Sequence, residues 1–188
     1  MPLYDVEHIT PLDLLQQTGL AQALTNLHAN RFKTPKCFVN VRYTDASDQV
    51  VFRGGRRVKY NRIILRTRQG ETRTKEIYDE HCRDIIRLWE GVVVGKEGGQ
   101  TGQQQRLRTV WVMGALTTAV ECGIARPSVG EEDQWLEDNI DEFKRLAAEG
   151  DGDFVELLQE LDSKTDNGQS TTVSSTSTST APVVHEIQ

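Results

Sequence analysis

Proline at position 2, directly behind Met1, puts unusual acid–base chemistry at the start of the chain. Once Met1 is removed, Pro2 presents a secondary amine held in a rigid ring, where any other residue would present a primary one. An N-terminal amine has an unperturbed pKa of roughly 8. Partial burial or neighbouring guanidinium groups lower it by disfavouring the charged form. The neutral amine takes a proton, and the protonated one delivers a proton to carbon. Proline is also a common, innocuous second residue, so its position alone assigns no role. A second group lies in "RTRQGETR", where Arg66, Arg68 and Arg73 follow Arg62. Paired guanidinium groups grip a carboxylate through charge-assisted hydrogen bonds and draw charge toward it as an enolate-like state develops. The ordinary alternative is a solvated, charged loop.

These groups need elements to hold them. "TPLDLLQQTGLAQALTNLHANRF" predicts a helix with Thr10 as N-cap, Pro11 at the first helical position and Asp13 in the first turn. Leu12, Leu15, Leu20, Ala23, Leu24 and Leu27 form its apolar stripe. "CFVNVRYTD" alternates as a strand, with Cys37, Val39, Val41 and Tyr43 on one side. Together with "PLYDVEH" these segments make one βαβ unit with a parallel pairing. About sixty residues on, the order returns. "NRIILRTR" is a strand, "TRTKEIYDEHCRDIIRLWEG" a helix with Ile77, Ile85, Ile86 and Trp89 among its apolar positions, and "RLRTVWVMG" a strand.

Gly54-Gly55 in "VVFRGGRRVKY" suits a turn or bulge between short strands. "VGKEGGQTGQQQ" reads as a loose polar loop, and the acidic segments beyond Pro127 as one or two helices packed outside the core. From Asn167 the Ser/Thr-rich sequence lacks the apolar content to offset ordering entropy, which predicts a disordered tail. The expected division is a main domain over 2–145, a helical extension over 146–166 and a tail over 167–188.

The 188 residues carry a formal charge of −6, and the pI is near 5.3. That balance argues against nucleic acid and anionic membranes as partners. With no basic n-region and no apolar run long enough to span a bilayer, the expectation is a cytoplasmic protein. Cys37, Cys82 and Cys122 are widely spaced without a CxxC pair, which predicts buried free thiols and neither a zinc site nor a disulfide framework.

Two tandem βαβ units that begin at a penultimate proline and end in a strand followed by a short hairpin resemble the tautomerase superfamily. "PLYDVEH", followed by a helix ending "ALTNLH", is similar to the start of cis-3-chloroacrylic acid dehalogenase and its relatives, and the likeness covers about residues 2 to 145. The resemblance implies an α+β tautomerase fold, with a mixed sheet backed by two helices, assembled as a homotrimer. It implies Pro2 as the catalytic amine and His28 as the helix histidine. "RTRQGETR" resembles the substrate-binding arginine pair, placing those roles on Arg68 and Arg73. "WVMG" and then "VECG" resemble the final strand and the glutamate beyond it, placing that role on Glu121. Met113 stands where the dehalogenase carries a tyrosine, and it neither donates a proton nor orients water.

Plainer roles compete. His28 would cap carbonyls at a helix end, and Glu121 would face solvent. His8 and His81 have no counterpart in the resemblance and are expected to be structural or exposed. Asp5, Glu7 and Arg66 are expected on the strand surface. The reading is an isomerase using Pro2 as general acid or base on a small carboxylate-bearing enol, 2-oxo acid or unsaturated acid, with no metal or organic cofactor indicated. Its rivals are a hydratase or dehalogenase of 3-substituted acrylates, with His28 and Glu121 activating water, and a non-catalytic trimeric binding protein.

Overall fold

The computed structural model describes residues 2–94, 105–114 and 118–169, with side chains of the last helix described to position 163. Four strands form the main sheet: β1 (Leu3–His8), β2 (Asn40–Asp45), β5 (Asn61–Arg66) and β6 (Leu107–Met113), in the order β2-β1-β5-β6. β1 runs parallel to β2 and antiparallel to β5, and β5 runs parallel to β6. The sheet is mixed because each βαβ unit makes its own parallel pair and the two units meet antiparallel at β1 and β5. Between them β3 (Val51–Arg53) and β4 (Arg56–Val58) form a separate hairpin. Gly54 and Gly55 make its two-residue turn with φ of 55° and 74°, the left-handed conformation such turns require.

Helices α1 (Leu14–Phe32) and α2 (Lys75–Trp89) cover one sheet face. Strand alternation turns Tyr4 and Val6 of β1 and Ile63 and Leu65 of β5 toward them, against Leu20, Leu24, Ile85 and Trp89. The other face carries ion pairs, Asp5 with Arg42 and Arg66, and Glu7 with Arg62. Asp5 is therefore buried beneath its partners, unlike the surface residue expected.

α1 starts later than its sequence predicts. The N-cap is Asp13, whose side chain accepts from the Gln16 N–H at 2.8 Å while Gln16 reaches back to the Asp13 N–H. This reciprocal capping box outcompetes the Thr10–Pro11 start and leaves Leu15 84% exposed, outside the stripe. α2 is capped as its sequence suggests, by Thr74.

Beyond the sheet come a small hairpin, β7 (Val120–Glu121) and β8 (Ile124–Ala125), and three helices, α3 (Glu132–Asp138), α4 (Ile140–Ala148) and α5 (Gly152–Gln169). The helices build a second apolar cluster, in which Phe143, Leu146, Phe154 and Leu157 enclose Phe38 from the turn before β2. α4 runs through position 145, and α5 continues to Gln169. The expected disordered tail beyond that point, and most of the expected loose loop over 94–105, lie outside the described residues. Cys37 and Cys82 are half-buried, whereas Cys122 is exposed because it occupies the β7–β8 turn at φ 49°. Among the described residues no helix is long and apolar enough to cross a membrane.

Candidate active site

Pro2 is buried immediately before β1, its carbonyl accepting from the Asn40 N–H at 3.0 Å. Two residues along, on the same side of the strand, the Tyr4 hydroxyl lies 2.7 Å from His28 Nδ1 and 2.7 Å from His81 Nε2. His28 comes from the last turns of α1 and His81 from the first half of α2, and all three side chains are fully buried. Among the described residues, His28 Nε2 and His81 Nδ1 have no hydrogen-bond partner.

Burial controls the protonation of this group. It lowers the His28 pKa to about 2, helped by the charges of His81 and Arg73. It lowers His81 to about 4, helped by Arg31, and raises the Tyr4 phenol well above its ordinary range. At neutral pH the cluster is uncharged.

Phe32 joins the imidazoles to the arginines. Its ring centroid lies 4.7 Å from that of His28 and 5.0 Å from that of His81, and the Arg73 guanidinium sits over the same ring, 4.9 Å from its centroid. Arg73 is buried and reaches the Thr67 hydroxyl at 3.4 Å. Because β1 and β5 pair antiparallel with Leu3 opposite Arg66, the chain just past Arg66 returns beside Pro2. Arg68 Nη2 donates to Glu132 Oε1 at 2.8 Å, and Arg73 Nη2 lies 3.5 Å from the same oxygen. The other Glu132 oxygen accepts from the Gly130 N–H at 2.6 Å. Arg68 also donates to the Pro127 carbonyl. Gly70 lets the arginine loop lie against Val129, since a Cβ there would fall 2.5 Å from a Val129 methyl. A narrow cavity of about 20 Å³ remains beside Glu132, walled by Thr34, Phe38, Arg68, Arg126 and Trp135.

Of the residues singled out from the sequence, His28, Arg68 and Arg73 fall along this chain of contacts, while Pro2 adjoins it through the backbone of β1 and bonds to Asn40. Glu121 does not touch His28. It forms an ion pair with Arg126, whose guanidinium stacks 3.3 Å from the Phe38 ring centroid, and among the described residues it joins the site through that arginine. Met113 is 44% exposed on the sheet face away from the helices, so within one chain its side chain points away from the imidazoles. Sequence reasoning missed Tyr4, His81 and Glu132. His81 carried a signal, since Ile77, His81, Ile85 and Trp89 recur every four residues and share a helix face. Glu132 carried none among its acidic neighbours.

The family model described as putative oxalocrotonate tautomerase enzyme matches residues 1–140. The chain belongs to that family. Among solved structures, this tautomerase-superfamily chain is similar to N1, a member of the cis-3-chloroacrylic acid dehalogenase (cis-CaaD) family. The two align with a TM-score of 0.56 at 20% identity, over 74% of this chain and 96% of the other. The F6 fused 4-OT wild type asymmetric trimer aligns at 0.45 and 16% identity, over 59% and 84%. No curated protein matches. The fold is that of the tautomerase superfamily, and the cis-CaaD-like resemblance read from the sequence holds. In this family member His81 is not exposed, and the packing of α1 against α2 and β1 is the reason.

Proposed function

We propose that the protein is an isomerase that moves a proton within a small carboxylate-bearing enol, 2-oxo acid or unsaturated acid, with the Pro2 amine, freed by removal of Met1, as general acid or base. The observation that carries this reading is the convergence of Arg68 and Arg73 on a single carboxylate oxygen, that of Glu132. A seat that accepts one carboxylate from within the chain suits the carboxylate of a substrate that displaces it. Arg73 connects through Phe32 to His28, and His28 through Tyr4 to the strand headed by Pro2. One end fixes the substrate and the other handles its proton.

The hydratase or dehalogenase reading receives less support. Water activation calls for a carboxylate beside the histidine, and Glu121 is committed to Arg126 instead. Met113 belongs to an edge strand with an exposed face, so it would serve only the site of a neighbouring copy. Exposed Trp111 and Met113 on that strand favour a homotrimer, in which copies cover each other's edges. In such an assembly Met113 still offers no proton. The test is ketonisation of phenylenolpyruvate by protein whose mature N-terminus is Pro2, with 3-haloacrylates assayed in parallel. Ketonisation that disappears when Met1 is retained supports the reading. Efficient release of halide would reverse the ranking, and a free but unreactive Pro2 with no turnover would favour the binding protein.

A further inference from the structure

Nine arginines of this chain, from Arg31 to Arg145, are paired with carboxylates. Five others gather at one end without such a partner. Arg53, Arg56 and Arg57 belong to the β3–β4 hairpin, and Arg106 and Arg108 to the entry of β6. Among the described residues none of the five makes a side-chain hydrogen bond or an ion pair. From Val50 to Tyr60 the sequence holds four cations and no acid. Arg53, Lys59, Tyr60, Arg106 and Arg108 wall an open cleft of about 480 Å³, with Glu90 as the acid on its rim. Beside them Phe52 is 63% exposed. Arginines around an exposed aromatic ring are the composition of a protein-binding surface. A small anion is held by a few converging polar groups in a largely enclosed pocket, and the cations here are exposed, which suits a broad charged partner.

The other end of the molecule carries the reverse charge. Positions 131–162 hold thirteen acids against Lys144 and Arg145, a net charge of −11. Asp133, Glu137, Asp141, Glu156 and Asp162 are exposed and have no ion pair among the described residues. On α5 the exposed Val155 shares a face with Asp162, seven residues on. The hairpin lies between the last residue of β2 and the first of β5, whereas α3, α4 and α5 gather around Phe38, just ahead of β2, and Arg68, just past β5. Because β2 and β5 run in opposite directions, the acidic helices stand at one end of the sheet and the basic hairpin at the other. Strands of six residues separate the two ends by roughly 20 Å. One copy does not bring its own ends together, and two copies do.

We propose that the basic β3–β4 hairpin and its cleft form a docking surface for the acidic α3–α5 end of a second copy of this chain. The contact is head to tail, with a different patch on each copy, so it repeats and closes into a ring where the rotation permits. A ring is also the form of the homotrimer favoured by the exposed β6 strand. The contact stands apart from the isomerase reading. A chain of net charge −6 repels its own copies where that charge is evenly spread, and segregating the charge to two ends converts repulsion into directional attraction. Because the cations are solvent-exposed, the attraction weakens with salt.

The test joins copies covalently. Unlabelled and nitrogen-15-labelled protein, exchanged into mixed oligomers as native mass spectrometry verifies, is treated with a carbodiimide, which couples Lys59 to a carboxylate in direct contact. Peptides of mixed isotope should join Lys59 to carboxylates within 131–162 of another copy. Their yield should fall at least about tenfold in about 1 M NaCl, where the screening length is about 3 Å. It should fall as far in the double variant Arg53→Glu, Arg57→Glu, which retains Lys59, with circular dichroism unchanged. If that variant fails to fold, the wild-type cross-link and its salt dependence still decide. Lys59 joined to that segment only within its own chain, an oligomer that yields no such cross-link, a yield indifferent to salt, or a protein monomeric at millimolar concentration would each overturn the proposal. Micromolar binding of inorganic tripolyphosphate by protein that gives no cross-link would assign the cleft to a small anion instead.

Discussion

The imidazole end and the arginine end of the site are built on opposite terms. Tyr4, His28 and His81 are fully buried in the main core, uncharged, and held by the sheet and both of its helices. Arg68 and Arg73 are charged, and their carboxylate partner Glu132 sits on α3, a helix of seven residues whose N-terminus has no side-chain cap. α3 packs with the second cluster through Trp135 and Leu136. Rearranging the imidazoles means opening the core, whereas releasing the arginines means moving one short helix. On the proposed reading, proton handling is tied to global stability, and carboxylate binding to a local cover that opens at lower cost.

The largest effect should come from the amine that neither end replaces. Pro2→Ala, or retention of Met1, should lower kcat by roughly 10²- to 10⁴-fold, the usual range for a general acid or base, while circular dichroism and thermal unfolding change little. Phenylenolpyruvate ketonisation by mature and Met1-retaining protein measures it directly. Equal rates would remove the amine from the mechanism and leave the imidazole end without a proton carrier.

The imidazole end should also make stability sensitive to acid. His28 and His81 have folded-state pKa values below the unfolded value of roughly 6.5. Above that value both states are neutral and the contribution is complete. As pH falls below it the unfolded chain binds protons that the native state refuses, so stability drops at about 1.4 kcal/mol per pH unit for each histidine. The loss continues to about pH 4 for His81 and further for His28. Between pH 6.5 and 5 it should reach about 3 kcal/mol for the pair, read by urea unfolding, and His81→Gln should remove about half. A flat profile would mean that the cluster opens to water in the native state and that the contrast with the arginine end is false.

How much of this was legible in the sequence follows the same divide. The βαβ order, the Gly54-Gly55 turn and the Thr74 cap were readable because periodicity and turn chemistry are local. The start of α1 was not, because Thr10–Pro11 and Asp13–Gln16 are both sound helix openings and only the fold chooses between them. Pro2, His28 and the arginines were singled out through resemblance. Tyr4 was hidden as an ordinary inward strand residue, and His81 as one polar position in a helix that sequence position alone does not bring to β1. Glu132 was invisible because its partner is more than sixty positions away, among many equivalent acids.

At the arginine end, Arg68→Ala or Arg73→Ala should weaken carboxylate binding by about 1.5 to 3 kcal/mol, the worth of a hydrogen bond to a charged group. The loss should appear in KM and in pyruvate titrations. Arg68→Ala should leave the imidazole resonances of the core unmoved, whereas Arg73→Ala removes the guanidinium beside Phe32 and should move them. Core resonances that shift with Arg68→Ala would show that the two ends are one mechanical unit.

The smallest effect, and the one that separates the ends most sharply, concerns Glu132. If its carboxylate occupies the substrate's seat, every bound substrate has first displaced it, and the apparent affinity is reduced by the fraction of time the seat is filled. Glu132→Gln keeps the shape of the side chain and its hydrogen bond from Gly130 but removes the charge that holds both arginines. The pair is partly screened by solvent, so the advantage gained by substrate should be about 1 kcal/mol, roughly a fivefold fall in KM, with kcat unchanged. The arginines then lose a partner in the free protein, so thermal stability should fall slightly while substrate binding improves. Opposite signs from one substitution are what a seat shared between substrate and cover requires. Were Glu132 only a structural partner of Arg68 and Arg73, Glu132→Gln would loosen the arginine loop, and both stability and KM would worsen together.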